Sequence, residues 1–294
     1  MHDVTESYPT NNSRDAMITW KQTLAEYEWL IHQIWYLEVE KDDVIEKRPR
    51  LIPNPRAHLL FTPNEQDYCY LNDKQPFIGK GCHLLLPSEQ MLILEDSAPL
   101  KRIGITFRPE GLYLLNKASP QHINQCSWFE WLKPLFNAHF QDALWQAHSK
   151  QDIGDVILKH LNTLDLNQNK DKAFFITQKA TLAIEELHHN VIEDSMDIES
   201  LANHCACSRR TLERSFKQVT GLTVKKYLQM MTLDQMVLAL YKQDENFDWA
   251  TFSQTFGFCD QSHLIRQLKK QLECTPSNYL QKRDLTIDVY GDFE

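Results

Sequence analysis

Six side chains in the last third of the sequence repeat one spacing. Arg210, Arg214 and Lys217 lie four and three residues apart, and so do Ser262, Arg266 and Lys269. Such spacings gather residues on one face of a helix. On a wheel of 100° per residue with Leu212 at zero, Arg210 falls at about 160°, Arg214 at about 200°, Lys217 at about 140° and Glu213 at about 100°. With Leu264 at zero, Ser262 lies at about 160°, Arg266 at about 200° and Lys269 at about 140°. Phe216 and Val219 turn to the opposite side, at about 40° and about 340°. Each helix therefore aims polar or cationic groups away from its apolar stripe. Exposed guanidinium groups suit bidentate contact to guanine or to phosphate, and lysines suit phosphate. Ser208 and Gln261 mark the N-terminal ends of the two helices, where a helix laid in a major groove meets base edges. Solvated surface is the ordinary role of a cation on a helix. The matched pair is what favours nucleic-acid contact.

Helices must hold these faces. Ser208 is placed to cap the first, and Gly221 to close it in the left-handed conformation. A partner helix over residues 198–204 supplies Leu201, Ala202 and Cys205 as its buried side. In the second unit Asp248 and Asp260 cap two helices, Gly257 makes the turn, and Phe252 and Phe256 face Leu264 and Leu268. Between the units, residues 223–241 read as one helix whose apolar stripe changes side: first Val224, Tyr227, Leu228 and Met231, then Leu233, Met236, Val237 and Leu240. Such a helix fixes two readers at one distance and angle, as two successive major-groove segments about 34 Å apart require.

The other two thirds of the chain differ in kind. Residues 1–19 are polar and unpatterned, and are expected as a mobile leader. Residues 20–115 carry short runs rich in β-branched and aromatic residues (31–39, 58–61, 67–71, 83–87, 91–95 and 102–107), separated by Pro, Asn and Gly turn formers, the pattern of a small β-barrel. Over 116–164 the period becomes helical, with Phe129, Leu132, Phe136 and Phe140, then Ile153, Ile157 and Leu161; this is a helical connector whose helices could pack on the barrel or pair with a second subunit as a dimerisation element. Residues 165–172 form a polar linker, 173–284 the all-α tandem helix-turn-helix domain, and 285–294 an acidic tail. The fold class is thus α+β multidomain.

Charge follows this division. The net charge is −9, yet residues 204–283 hold 12 Lys plus Arg against 7 Asp plus Glu. A positive end on an acidic body is compatible with nucleic-acid contact confined to one domain. No apolar run is long enough to span a bilayer, and the start lacks a secretory signal, so a cytoplasmic location is expected. The 7 cysteines have no framework-like spacing and fit a reducing compartment.

The paired segments SRRTLERSFKQVTG and GFCDQSHLIRQLKKQLECTPSNYL resemble the DNA-binding domain of the AraC/XylS family of bacterial transcription regulators, over about residues 174–283. The resemblance implies DNA contacts from Arg210, Glu213 and Arg214 in the first recognition helix and from Gln261, Ser262 and Arg266 in the second. The chain departs from the family pattern at Ser253, usually small and apolar, at Leu264, Leu268 and Leu272, usually Phe, and at Glu273, usually Gly. These departures make the second unit the expected weaker partner. Less specifically, WYLEV, LIPNPRAHLLF and RIGITFRPEG are similar to the cupin-like β-barrel that precedes this module in one group of these regulators. The usual Pro-Asp-Gly turn is Pro53-Asn54-Pro55 here, and the usual acidic position is His58.

The resemblance implies promoter DNA as partner, RNA polymerase for an activator, a homodimer, and a small-molecule effector in the barrel. Trp35, Tyr70 and Phe107 are the candidate pocket lining; the plainer reading makes them barrel core. His58, His83 and His122 lack the His-x-His spacing of a metal site, and Cys205 and Cys207 lack a second ligand pair, so no metal or cofactor is expected. Arg108 reads as surface or as half of an ion pair. No nucleophile arrangement or phosphate-cradling loop is recognisable, and no enzymatic activity is expected. The rival is a DNA-binding protein whose barrel is closed by its own side chains and serves only protein contacts.

Overall fold

The computed structural model describes residues 17–72, 75–116, 123–189, 197–242, 248–281 and 290. Ten strands build the N-terminal part: β1 (Met17–Gln22), β2 (Ile31–Val39), β3 (Arg50–Leu51), β4 (His58–Phe61), β5 (Asp67–Leu71), β6 (Phe77–Lys80), β7 (His83–Leu85), β8 (Leu92–Leu94), β9 (Leu100–Phe107) and β10 (Cys126–Ser127). They form two antiparallel sheets, one of six strands in the order β1-β2-β9-β4-β7-β10, the other of four in the order β3-β8-β5-β6.

The strands of the large sheet send alternate residues to two apolar layers. Trp35, Leu37 and Val39 of β2 and Leu60 of β4 pack with Tyr70, Leu92 and Leu94 of the small sheet. Ile34 and Tyr36 of β2, Leu59 and Phe61 of β4 and Ile103, Ile105 and Phe107 of β9 pack on the other face against helices α2 (Leu132–Leu135), α3 (Ala138–Gln146) and α4 (Lys150–Leu161). Phe61, Phe136 and Phe140 meet there edge to face. The result is three layers: small sheet, large sheet, helices. A short helix α1 (Gly111–Leu115) follows β9.

Two expectations change, those for the leader and the linker, and one of the two readings of the connector, packing on the sheet body, is the one seen. The leader assigned to residues 1–19 includes the start of β1, whose register on β2 runs from Met17 opposite Val39 to Gln22 opposite Ile34. Trp20 stacks on Tyr36 at 5.5 Å, which holds this edge strand. The connector is continuous with the sheet body: β10 pairs with β7, and α3 and α4 cover the large sheet. Within the expected linker Leu166 is buried, Asn169 Nδ2 donates to the Leu114 carbonyl at 2.7 Å, and Tyr113 Oη donates to Asp171 at 2.9 Å. His122 and residues 1–16 lie outside the described residues.

The C-terminal part is all helical: α5 (Lys172–His189), α6 (Ile198–His204), α7 (Arg209–Thr220), α8 (Val224–Tyr241), α9 (Trp249–Thr255), α10 (Gln261–Leu272) and α11 (Pro276–Gln281). It rests on the sheet body at several places. Arg108 of the sheet body bonds Glu185 of α5 at 2.7 Å, and Ile52 and Met91 join the core of the second helical unit. No helix among the described residues is long and apolar enough to cross a membrane.

Candidate nucleic-acid interface

Both helical pairs are built from the same local chemistry. Asp197 caps α6 by accepting from Ser200 N, and Ser208 caps α7 by accepting from Thr211 N at 3.2 Å. Asp248 caps α9 through Ala250 N and Thr251 N, and Asp260 caps α10 through His263 N at 2.7 Å. Each carboxylate or hydroxyl satisfies N–H groups that the first turn leaves without helical partners. The Ser200 N–H holds the Asp197 carboxyl below its usual range, and the Thr251 hydroxyl, with the Ala250 and Thr251 N–H groups, does the same for Asp248.

The turns match bond for bond. Ala206 N donates to Asn203 O and Cys207 N to Ala202 O; Gly257 N donates to Gln254 O and Phe258 N to Ser253 O. Ala206 and Gly257 occupy the left-handed region, at φ 50 and φ 72. The first helices of the pairs start at Ile198 and Trp249, the second at Arg209 and Gln261, so the second turn is one residue longer.

Helix α8 joins the pairs as its stripe requires. Val224, Tyr227 and Met231 are buried with Leu201, Leu212 and Phe216 in the first core, with Leu228 partly buried against it. Leu233, Met236, Val237 and Leu240 are buried with Phe252, Leu264, Leu268 and Leu272 in the second. The three leucines standing for Phe are fully covered, each contributing about 1.5–3 kcal/mol of apolar burial. Ser253 is buried too, and its hydroxyl donates to the Ala250 carbonyl at 2.8 Å, which removes the desolvation penalty.

On the outward faces, Ser208, Arg210, Arg214 and Lys217 of the first unit and Gln261, Ser262, Arg266 and Lys269 of the second are exposed. Glu213 is half-buried and accepts from Arg209 Nε at 3.1 Å, one helical turn away. Lys217 bends to the end of its own helix and donates to the Gly221 carbonyl. A groove of about 530 Å³ opens between the two units, lined by Glu199, Arg209, Lys225, Gln229, Gln267 and other residues. Arg209 and Lys225 were not singled out from the sequence; Arg209 lies off the Arg210 and Arg214 face, and Lys225 belongs to the linking helix.

The sheet body divides the candidate effector residues. Trp35 and Tyr70 lie between the two sheets, fully buried, whereas Phe107 is buried on the opposite face of the large sheet among the helices. Phe107 follows Ile103 and Ile105 at a spacing of two, which commits it to their face. Instead, β9 sends Arg102 and Thr106 inward. Trp35 Nε1 donates to Thr106 Oγ1 at 3.1 Å, Thr106 Oγ1 bonds His58 Nδ1 at 2.9 Å, and Arg102 forms a two-pronged pair with Asp96 at 2.9 and 2.6 Å. Gly104 lies beneath the Trp35 indole, where a Cβ would fall inside the ring's van der Waals envelope.

Comparison with known proteins agrees with the geometry of the helical part. Residues 201–282 match the family described as helix-turn-helix domain. A transcriptional activator named RhaS from Escherichia fergusonii is 31% identical over 94 residues, 32% of this chain, and the chain spans 33% of that relative's length. RhaR of Mannheimia succiniciproducens, also named a transcriptional activator, is 21% identical over 267 residues, covering 85% of this chain and 95% of its own. Among solved structures, ToxT from Vibrio cholerae aligns over 91% of this chain and 99% of its own at 10% identity with a TM-score of 0.48. The DNA-binding domain of AdpA, solved with a target DNA, aligns over 36% of this chain and 89% of its own at 25% identity and TM-score 0.30. The C-terminal end of the chain thus carries a helix-turn-helix domain, in line with the resemblance of its sequence to the DNA-binding domain of the AraC/XylS family.

Proposed function

We propose that the chain is a sequence-specific transcription regulator that lays α7 and α10 into two successive major-groove segments of promoter DNA. One observation carries the reading: two capped helices of the same length, each exposing its polar face, are joined by a helix that is buried in both cores. Arg210 and Arg214 are exposed on that face, make no hydrogen bond or ion pair among the described residues, and would meet guanine edges or phosphate; Ser208, Gln261, Ser262, Arg266 and Lys269 would add positioning contacts. Glu213 and Lys217 reach DNA only by leaving Arg209 and the Gly221 carbonyl. The sheet body would bind a small effector and bias the orientation of the readers; α3 and α4 are candidates for a homodimer contact, and RNA polymerase is the partner if transcription is activated.

The test is fluorescence anisotropy with promoter DNA from the chain's own genomic neighbourhood. Arg210→Ala with Arg214→Ala should weaken binding at least tenfold, since each bidentate base contact is worth about 1–3 kcal/mol. Affinity should fall steeply with added salt. Unchanged binding by the double variant would sink the assigned face.

A second reading, a sheet body that takes no small molecule and works only through protein contacts, is favoured by one observation: the side chain of Tyr290 is buried between the sheets.

A further inference from the structure

Tyr290 comes from beyond the last helix of the DNA-binding domain, yet it is completely buried among residues of the sheet body. Its ring lies 5.0 Å from that of Trp35 and meets His58 edge-on at 5.2 Å. Asn54 Nδ2 donates to its carbonyl at 3.0 Å. Its hydroxyl sits 3.4 Å from Arg102 Nη1 and 3.3 Å from Tyr70 Oη.

The donors can be ordered. Burial pushes the His83 imidazole down to about 3, so it is neutral, and Nδ1 must carry the proton to bond the Gly81 carbonyl at 2.9 Å. His83 Nε2 then accepts from Tyr70 Oη at 2.8 Å. Tyr70 oxygen is left to accept from Tyr290 Oη, whose own oxygen accepts from Arg102. The row Arg102, Tyr290, Tyr70, His83, Gly81 thus runs in one direction with Tyr290 in the middle. A neutral hydroxyl that both donates and accepts is what this position requires. An anionic group does not fit, because the Arg102 charge is already matched by Asp96.

We propose that the space between the sheets is a binding site for a small uncharged phenol, and that Tyr290 is its tethered internal occupant. This rests on the reading of the sheet body as an effector domain and gives that effector a chemical class. Two further observations point to exchange. Arg102 Nε, buried beside the hydroxyl position, has no hydrogen-bond partner among the described residues. A groove of about 750 Å³ at the edge of the sheets is lined by Tyr68, Asp96 and Lys101, so it ends against the residue that pairs with Arg102, whose carboxylate lies buried behind it. A phenol entering there would take the Tyr290 position and release the Tyr290 side chain from the sheet body. The bond row would be re-formed by the ligand hydroxyl.

The test is isothermal titration of the full chain with 4-methylphenol, the free counterpart of the tyrosine side chain, and with toluene, which lacks the hydroxyl. The Tyr290→Ala chain should bind one 4-methylphenol at least tenfold tighter than the unaltered chain, because a tethered competitor acts at millimolar effective concentration. Toluene should bind at least tenfold more weakly than the phenol. Equal affinity of the two chains for the phenol, or of one chain for phenol and toluene, overturns the proposal, as does no uptake by Tyr290→Ala. If circular dichroism shows that the alanine chain does not fold, Tyr290→Phe decides. It keeps the ring and loses only the hydroxyl contacts, so 4-methylphenol should displace it more readily than tyrosine, and an affinity equal to that of the unaltered chain overturns the proposal. DNA binding measured on the same proteins separates the readings. Tyr290→Ala that holds promoter DNA but takes no phenol removes the site and leaves the DNA-binding role intact, whereas phenol uptake by a chain that binds no DNA does the reverse.

Discussion

Two residues of the helical part sit in backbone conformations that their side chains resist. Ala206 in the first turn has φ 50 and Glu273 at the end of α10 has φ 54, both in the left-handed region where a Cβ crowds the following carbonyl. The sequence marked Glu273, because a glycine belongs at such a C-cap, but did not mark Ala206: its counterpart Gly257 becomes visible as a counterpart only once the turn bonds are known. Replacing either by glycine removes a cost of about 1–2 kcal/mol and adds back about 0.5–1 kcal/mol of unfolded-chain entropy. Ala206→Gly and Glu273→Gly should each stabilise the chain by about 0.5–1 kcal/mol, seen as a higher urea midpoint with unchanged slope. Ala206 is the cleaner test, since it is exposed and loses only a methyl. The outward cations were legible because helical period alone decides which side they face. What was not legible is what a long side chain does next: Lys217 folding to the Gly221 carbonyl and Glu213 pairing with Arg209 depend on local geometry that spacing does not fix.

Elements were legible in proportion to how one-sided their burial is. Helix α8 declared its two cores because its stripe changes side, and β5 alternates in burial along its length. Strand β4 is buried at every position and β2 at nearly every one, being covered on both faces, so their sequences carry no alternation to tell inside from outside. That is why Phe107 was grouped with Trp35 and Tyr70. The layer between the sheets was also missed as a polar one, since His58, His83 and Arg102 acquire their roles only from pairing across strands. This layer has a measurable signature. Burial, with help from the nearby Arg102 charge, pushes His83 down to about 3, against a bond to the Gly81 carbonyl that favours the proton. The unfolded chain binds that proton below about pH 6.5 and the folded chain does not, so stability is full above 6.5 and falls as pH drops towards 3. One such group gives a slope of up to about 1.4 kcal/mol per pH unit. Half-buried His160 is lowered in the same direction, also by burial. Urea midpoints should therefore fall between pH 7 and pH 5, and His83→Gln should remove most of that fall; an unchanged pH dependence in the variant would refute a buried neutral His83.

At the scale of the whole molecule, the question is what holds the sheet body to the DNA-binding domain. Much of the division into two parts was legible from the change of hydrophobic period, but the contact was not, because part of it is made by charged residues that a sequence places on the surface, and part by apolar residues such as Phe174 and Val219 whose partners lie far away in the chain. Arg108 lies between two carboxylates: Nη2 donates to Glu185 of α5 at 2.7 Å and Nε to Glu110 at 3.4 Å. Glu110 is completely buried, and burial raises its carboxyl above the usual range even though Arg108 pulls it down. Thr181 of α5 donates to the other Glu110 oxygen at 3.2 Å. Arg56, also buried, stands 3.9 Å from Glu185. Removing the guanidinium between the two acids leaves buried negative charge short of its partner, which typically costs about 3–5 kcal/mol. An exposed pair is worth far less, about 0–1 kcal/mol, and Arg48 with Glu95 is such a pair, the arginine side chain being 66% exposed. Arg108→Ala should therefore destabilise the chain by several kcal/mol where Arg48→Ala does little. The loss should also be local: hydrogen exchange should show α1 and α5 losing protection while the centre of the large sheet keeps it, because no bond of Arg108 to β2 or β4 is removed. Lysine in its place should recover only part of the difference, since one ammonium cannot fork to two carboxylates as guanidinium does. Equal small effects at Arg48 and Arg108 would mean that apolar packing of Ile52 and Met91 against the second helical core, and not this buried charge cluster, holds the two parts together.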